Sequence, residues 1–331
     1  MSTGPLGFRS GDFWSDNAKT RDEVYQRLID EDFIGLIIDA PSQVNIDERQ
    51  TLPVIGWRSA AMWQAQRTNF QKFALITALQ IRTGRLLANR AQVQRNFSEV
   101  IPDDDGDPGE GMILSQFDLD LRERLPDLPW EQDRYLLTVI LQEQISNRLA
   151  VDLVSARGRV SGRLDERPAQ TLIPPPGDPL PSYRVDRDSL PLPKKAGIDL
   201  SSGRGPITTD ARCVIRGSYR LPLLRQHLLS LRTSILTEGC EESDLEAVVP
   251  LTLLLTGSEA PGPFLIPMHV PSYNNLDSDS LVPQVTGTFA LDLFETEALR
   301  HREPQVYYLY AFSGEIMGGP HRFEVLARES R

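Results

Sequence analysis

Two short stretches of the sequence decide the fold: Phe117-Asp118-Leu119-Asp120-Leu121 and Phe289-Ala290-Leu291-Asp292-Leu293. Residues 117–155 align with residues 289–327 at a constant offset of 172 without a gap, and nine of the 39 aligned positions are identical. Within each stretch the apolar residues alternate, which is typical of a β-strand with one buried face. The sequence therefore predicts that one β pattern occurs twice.

A second strand follows in each copy. Tyr135–Leu141 and Tyr307–Phe312 are rich in aromatic and aliphatic residues and are almost continuously hydrophobic, as expected of a central strand covered on both faces. Turn-forming residues come next, at Ser146-Asn147 and Gly318-Gly319, and precede a last strand. We therefore expect each copy to end in a β-hairpin.

More strand-like runs, separated by Gly and Pro, lie upstream in both copies: Phe73–Ile81, Leu86–Val93, Val248–Thr256 and Phe264–Val270. Short strands with turn residues roughly every 8 to 12 positions are typical of a β-sandwich. The sequence predicts a mainly β protein of two tandem, related β-sandwich domains with a few peripheral helices and a Pro-rich connector. The alternative is a chance similarity between two hairpins, in which case the two halves would differ in strand connectivity.

Composition shifts along the chain suggest the domain boundaries. Prolines are dense from about Ser161 to Pro206, which favours an extended connector over a sheet. Helical spacing of apolar residues predicts a helix at 16–31 and another at 222–236, which would begin at Pro222. We expect an N-terminal arm with one helix at 1–48, the first sandwich at 49–156, a Pro-rich linker at 157–207, and the second sandwich at 208–331 with a helical insertion near 222–236.

Charge and composition limit the partners. The chain has 331 residues, 46 acidic and 35 basic side chains, and a net charge of -11. An acidic protein is repelled by phosphate backbones and by anionic lipid surfaces, so we expect no nucleic acid and no membrane as partner. All but four of the basic residues are arginines, which is typical of a GC-rich bacterial genome.

Two features favour the cytoplasm. Met1–Trp14 lacks the apolar run of a signal peptide, and the longest apolar-rich stretch, Val248–Leu255, is too short to cross a bilayer. Cys213 and Cys240 are too few for a disulfide framework, and we expect each to be a small buried hydrophobic residue.

Sequence motifs for catalysis are absent. The chain has no Gly-x-Ser-x-Gly elbow and no phosphate-binding loop, and none of its four histidines has a partner at metal-ligand spacing. Asp120 and Asp292 occupy equivalent positions and could be considered as paired carboxylates. We expect both to project from the solvated outer face of a strand, and we predict no catalytic residue.

One acidic loop could bind a metal. Asp103, Asp105, Asp107 and Glu110 place several carboxylates in a short Gly- and Pro-containing turn, and Ca²⁺ prefers such oxygen ligands. The sequence is not an EF-hand. A calcium site at these four residues is therefore the only cofactor site that we consider, and a solvated surface turn is the alternative.

Aromatic residues suggest a binding surface. Trp57 and Trp63 lie close together in sequence, and Tyr308 and Tyr310 share one face of their strand while Tyr307 takes the other. These side chains could bind a ligand or a protein partner. Packing in a core is the alternative.

The leading hypothesis is a noncatalytic protein-interaction or assembly subunit, acting through a protein partner or a second copy of the chain. The second is a Ca²⁺-assisted ligand-binding or carbohydrate-binding protein that uses the acidic loops and exposed aromatic residues. The third is a hydrolase with carboxylates and histidine in an interdomain cleft, because catalytic residues often come from distant parts of a sequence.

Overall fold

The computed structural model describes residues 6, 8, 13, 18–61, 70–92, 95–101, 111–155, 190–202, 205–222, 247–259, 263–272, 284–299 and 303–327. The chain forms two compact units, Met1–Arg163 and Leu164–Arg331. Both are built mainly of β-strands, as predicted.

The described part of the first unit contains ten strands in two sheets. The strands are β1 (Gly35–Asp39), β2 (Gln43–Asn45), β3 (Pro53–Ala61), β4 (Leu75–Gln80), β5 (Leu86–Arg90), β6 (Arg95–Ile101), β7 (Met112–Asp120), β8 (Asp133–Leu141), β9 (Gln144–Ile145) and β10 (Leu149–Val154). The smaller sheet has the order β1-β3-β7-β6, and the larger has the order β2-β10-β8-β4-β5 with β9 beside β8. All pairings are antiparallel except the parallel pair of β2 and β10.

The described part of the second unit contains eight strands. They are β11 (Gly197–Ser201), β12 (Ile207–Thr208), β13 (Val214–Pro222), β14 (Ala247–Gly257), β15 (Phe264–Ser272), β16 (Gln284–Asp292), β17 (Gln305–Ser313) and β18 (Ile316–Leu326). The smaller sheet has the order β11-β13-β16, and the larger has the order β12-β18-β17-β14-β15. Here too one pair, β12 and β18, is parallel.

The two units share their strand connectivity. Strands β11, β13 and β16 take the places of β1, β3 and β7, and in the larger sheets the order 12-18-17-14-15 repeats the order 2-10-8-4-5. The central strands are β8 and β17, which are the hydrophobic runs that the sequence assigns to that place. The repeated pattern therefore folds into two related β-sandwiches.

Each sandwich has its own apolar core between its sheets. In the first, residues from the smaller and the larger sheet join in one buried cluster that includes Val54, Phe117, Ile76 and Leu137. The second core is built in the same way and includes Ile215, Phe289, Leu253 and Leu309. Burial of this apolar surface is the main force that holds each pair of sheets together.

A glycine opposite a phenylalanine fixes the packing of both smaller sheets. Gly56 pairs with Phe117 across β3 and β7, and Gly217 pairs with Phe289 across β13 and β16. A Cβ atom at either glycine would lie 2.2 Å from the phenylalanine ring. Each ring therefore occupies the space that a side chain at the glycine would need.

The hairpin turns lie four residues before the predicted positions. They are at Gln142-Glu143 and at Gly314-Glu315, where Gln142 and Gly314 have positive φ. The side chain of Asn147 instead pairs with the edge of the smaller sheet, since its Oδ1 accepts from Ile38 N at 2.8 Å and its Nδ2 donates to Ile38 O at 3.0 Å.

In the second sandwich the backbone itself approaches the edge of the smaller sheet near the predicted turn. A Cβ atom at Gly318 would lie 2.2 Å from Ile198 O, so the chain passes directly against strand β11. The predicted turn residues thus connect the two sheets of each sandwich along one edge.

Short helices lie outside the sheets. The predicted N-terminal helix is present as α1 (Ala18–Asp30), and two further short helices, α2 (Phe70–Phe73) and α3 (Leu121–Arg124), lie in the first unit. Two 3-10 turns, Leu293–Glu295 and Glu297–Leu299, follow β16. No helix in the described ranges is both long and apolar enough to cross a membrane.

Strands also lie where the sequence suggests an arm and a linker. Strands β1 and β2 fall within 1–48, β11 falls within 157–207, and β12 begins at the last residue of that range. Pro222, expected to begin a helix, ends strand β13 instead, and residues 223–246 lie outside the described residues. The domain boundaries themselves stay a prediction.

Candidate interaction surfaces

The predicted calcium ligands lie outside the described residues. Asp103, Asp105, Asp107 and Glu110 all fall in the range 102–110. Within the described ranges, no group of three or more His, Cys, Asp or Glu side chains is placed to hold a metal ion. Calcium binding therefore stays a prediction.

The aromatic residues proposed for binding are buried where the structure describes them. Trp57 is 0% exposed, and its ring stacks on Phe8 with 5.7 Å between centroids. Tyr308 and Tyr310 face away from the core that contains Tyr307, as the alternation predicts, yet they too are buried.

At Trp57, Tyr308 and Tyr310 the structure therefore has the buried packing that sequence analysis considered as the alternative to an exposed binding surface. The physical reason at Trp57 is that a preceding segment of the chain covers its face of the sheet. Tyr310 lies directly opposite the fully buried Leu254 of strand β14. Trp63 lies outside the described residues, so binding at that position stays a prediction.

The repeated carboxylates cap helical turns and do not project freely into solvent. Asp120 accepts hydrogen bonds from Arg122 N and from Leu52 N, both at 3.0 Å. The carboxylate therefore caps helix α3 and also ties its start to the residue before β3.

Asp292 has the same role in the second sandwich. It accepts from Phe294 N and from Cys213 N, both at 3.1 Å. The expectation of a solvated strand face at Asp120 and Asp292 is thus wrong, because each carboxylate accepts from one N–H group of the turn and from the N–H group of a residue distant in sequence, Leu52 or Cys213.

The repeated tyrosines also serve the fold. The hydroxyl of Tyr135 donates to Pro129 O at 2.8 Å, and that of Tyr307 donates to Glu303 O at 3.0 Å. Such a bond to backbone a few residues upstream is the tyrosine corner found in other β-sandwiches. Burial is the largest cause that raises the pKa of both tyrosines, so both hydroxyls stay protonated at neutral pH.

Burial also shifts the pKa of the cysteine and the histidine whose side chains the structure describes. Cys213 is 0% exposed, as predicted, and burial raises the pKa of its thiol to about 12. Among the histidines only the side chain of His321 is described; burial lowers its pKa, and its ring lies 6.2 Å from that of Phe323. A thiol with a raised pKa is a poor nucleophile.

A buried arginine is a feature that sequence analysis missed. Arg58 is 4% exposed and lies on the core side of β3, where its Nε donates to Gln144 Oε1 at 3.2 Å. Its guanidinium lies 5.9 Å from the ring centroid of Phe70. Tyr219 takes the equivalent place in β13, so the two cores have diverged at this end.

The described parts of the two sandwiches differ at the outer face of the smaller sheet. In the first sandwich this face carries an apolar cluster, which we name the covered face: Ile37, Ile55, Trp57 and Leu114. The register places polar residues at the same four positions of the second sandwich, and we name these the polar face: Asp199, Arg216, Ser218 and Thr286.

The N-terminal cover lies on the covered face. It consists of Leu6, Phe8, Phe13 and helix α1, and the two buried apolar residues of that helix, Val24 and Leu28, join the same cluster. These described residues therefore add a third layer to the first sandwich.

The polar face contacts the chain before β11 through hydrogen bonds. Ser218 Oγ donates to Pro191 O at 2.9 Å, and the neighbouring Arg220 donates from Nε to Pro193 O at 2.7 Å. Asp199 is exposed and Arg216 is half-buried. Part of this polar, mixed-charge surface is thus accessible.

Comparisons with known proteins give no family. No protein family matches the chain, and no curated protein matches it. Among solved structures it is similar to BspA_C_mut, with 7% sequence identity and a TM-score of 0.17 over 88% of this chain and 98% of that chain. It is also similar to the Streptococcus agalactiae AgI/II polypeptide BspA C-terminal domain (WT), with 7% identity and a TM-score of 0.15 over 88% and 97%. TM-scores this low support no inference about fold or function.

Proposed function

We propose that this protein is a noncatalytic interaction or assembly subunit, and that the polar face of the second sandwich contacts a protein partner or a second copy of the chain. The polar face carries the proposal. The same position in the first sandwich is apolar and closed, whereas here Asp199 is exposed and Arg216 is half-buried.

The roles of the repeated polar residues support a noncatalytic function. Asp120, Asp292, Tyr135 and Tyr307 are the groups that a search for paired catalytic residues would select, and all four bond to backbone. The hydrogen bonds of these four side chains to backbone atoms stabilise the turns of the two sandwiches. The calcium-dependent and hydrolase hypotheses and residence in the cytoplasm stay predictions.

The test is the state of association of the full chain. We expect size-exclusion chromatography with light scattering to show an oligomer, or a pull-down to retain a partner, and we expect Asp199→Lys and Arg216→Glu each to weaken that contact. Reversing one charge in a mixed-charge interface places like charges together.

A matched control uses an exposed acidic residue on a strand of the other sheet, Glu324. Glu324→Lys should leave the association unchanged. A strict monomer that retains no partner would overturn the proposal, and equal loss in Glu324→Lys would show that the contact lies elsewhere.

A further inference from the structure

The N-terminal cover hides apolar surface that the sandwich itself does not require. Leu6 and Phe8 are 2% and 1% exposed. The ring centroid of Phe8 lies 5.5 Å from that of Phe13 and 5.7 Å from that of Trp57. The second sandwich has the same connectivity with polar residues at the four equivalent positions. The apolar character of the covered face is therefore matched to the cover.

A buried carboxyl group anchors this cover. Asp39, the last residue of β1, is 0% exposed. Its Oδ2 accepts from Leu6 N at 3.2 Å and its Oδ1 accepts from Ala40 N at 2.9 Å. Docking of Leu6 thus supplies a hydrogen bond to Asp39 and also removes the carboxyl group from water.

When Asp39 is ionised, the hydrogen bond from Leu6 N stabilises the docked cover, whereas the removal of the carboxylate from water destabilises it. A buried carboxylate is costly unless its charge is compensated, and backbone N–H groups compensate only part of the lost hydration. Ser201 occupies the equivalent end of β11, so the second sandwich has no ionisable group at this position.

We propose that the N-terminal cover is a releasable layer of the first sandwich, anchored at Asp39, and that its release exposes the covered face. The inference concerns one chain alone, so it does not depend on the proposed function.

The surroundings of Asp39 set the direction of its pH dependence. Burial is the largest cause acting on the group and raises its pKa from 3.8 to about 6, against the lowering effect of the N–H groups of Ala40, Leu6 and Phe8. Strand β3 places Ile55 opposite Asp39, and its only charged side chain, Arg58, lies on the other face. On α1, Asp22, Glu23 and Asp30 are exposed and Arg27 is half-buried.

The direction in which pH changes the docking of the cover follows from proton linkage. When the cover is released, Asp39 is solvated and its pKa returns toward the ordinary value, so the docked state binds the proton more tightly. The contribution of Asp39 to docking is therefore fully present below about pH 4, falls between about pH 4 and pH 6, and is lost above that range. With these two pKa values, the opening equilibrium should rise about tenfold between pH 5 and pH 8.

Hydrogen exchange of the full chain measures this opening. After correction for intrinsic rates, we expect the amides of α1 to exchange about tenfold more readily at pH 8 than at pH 5. The amides of β13 serve as the internal reference and should not follow that change. In Asp39→Asn the ratio of the corrected exchange of α1 at pH 8 to that at pH 5 should fall to about one.

Two further variants separate the anchor from the packing. Phe8→Ala should raise the exchange of α1 by at least about tenfold at both pH values. The ratio of exchange at pH 8 to exchange at pH 5 should stay the same as in the unaltered chain. Ser201→Ala should leave α1 unchanged. Equal corrected exchange of α1 at pH 5 and pH 8 in the unaltered chain, or an unchanged ratio in Asp39→Asn, would contradict the anchoring role of Asp39. Unchanged protection of α1 in Phe8→Ala would contradict the proposal that the N-terminal cover is a releasable layer.

Discussion

At the scale of single residues, the identities between the two copies mark structural contacts. Phe117 and Phe289 each fill the space above a glycine, and Asp120 and Asp292 each bind two backbone N–H groups. A position that makes the same contact in both sandwiches has few alternatives, because a change of size or of hydrogen-bonding capacity is felt at once in a close-packed interior.

Replacement of Gly56 or Gly217 by alanine should destabilise its sandwich. Alanine gains about 0.5–1 kcal/mol over glycine in a strand through chain entropy. The added Cβ would lie 2.2 Å from a phenylalanine ring, and overpacking of this kind costs about 1–3 kcal/mol. The clash outweighs the gain, so we expect a lower urea midpoint for both variants.

Gly197 provides the control for this experiment. A Cβ atom there would have its closest neighbours at ordinary contact distances of 3.7 and 3.9 Å, so Gly197→Ala should be neutral or slightly stabilising. Combining Gly56→Ala with Phe117→Leu should cost less than the sum of the two single changes. Strict additivity would show that the glycine and the ring are not coupled.

The glycine partner could not be found by the alignment that revealed the repeat. Phe117 and Phe289 are 172 positions apart, whereas Gly56 and Gly217 are 161 apart. Loops of different length separate the paired strands in the two copies. An ungapped comparison therefore detects the second half of each sandwich and misses the first.

At the scale of secondary-structure elements, alternation and punctuation predicted most strands of the larger sheets. The predicted runs Val248–Thr256 and Phe264–Val270 correspond to β14 and β15 within two residues at each end. Strands β1 and β2 were missed because a strand of three to five residues carries too little periodicity to be distinguished from an arm. The hydrogen bond from Leu6 N to Asp39 could not be predicted, since it joins residues 33 positions apart.

The helical turn after β7 depends on its capping aspartate. Asp120→Ala removes the acceptor for two backbone N–H groups and should destabilise the first sandwich by about 1–2 kcal/mol. Asp120→Asn keeps a good capping group and should cost much less. Thermal or urea unfolding measures both, and the exposed Asp127 provides a neutral control as Asp127→Ala.

A different ranking would change the role assigned to this residue. If Asp120→Asn were as harmful as Asp120→Ala, the charge of the carboxylate would matter more than its hydrogen bonds. The same pair of changes at Asp292 should give the same ranking, because its two bonds have matching partners and lengths.

At the scale of the whole molecule, the fold was predictable and the surfaces were not. The repeat, the central strands and the layered sheets follow from hydrophobic pattern, which depends on residues close in sequence. Which face of a sheet is covered depends on segments that precede it by tens of residues, as at Trp57 beneath Phe8. For that reason the sequence left Trp57 open between a binding surface and a core, and the structure shows it buried.

Net charge is a property of the entire chain and leads to a prediction that pattern alone cannot make. With 46 acidic against 35 basic side chains and an isoelectric point near 5.0, the long-range field at neutral pH repels polyphosphates. Nonspecific binding of nucleic acid comes almost entirely from cations that neutralise phosphates. We therefore expect the chain to pass through a heparin column at low salt, to bind an anion exchanger, and to leave random-sequence duplex DNA unshifted at micromolar concentration. Salt-sensitive retention on heparin would contradict this, because it would require arginines clustered densely enough to overcome the field of the rest of the protein.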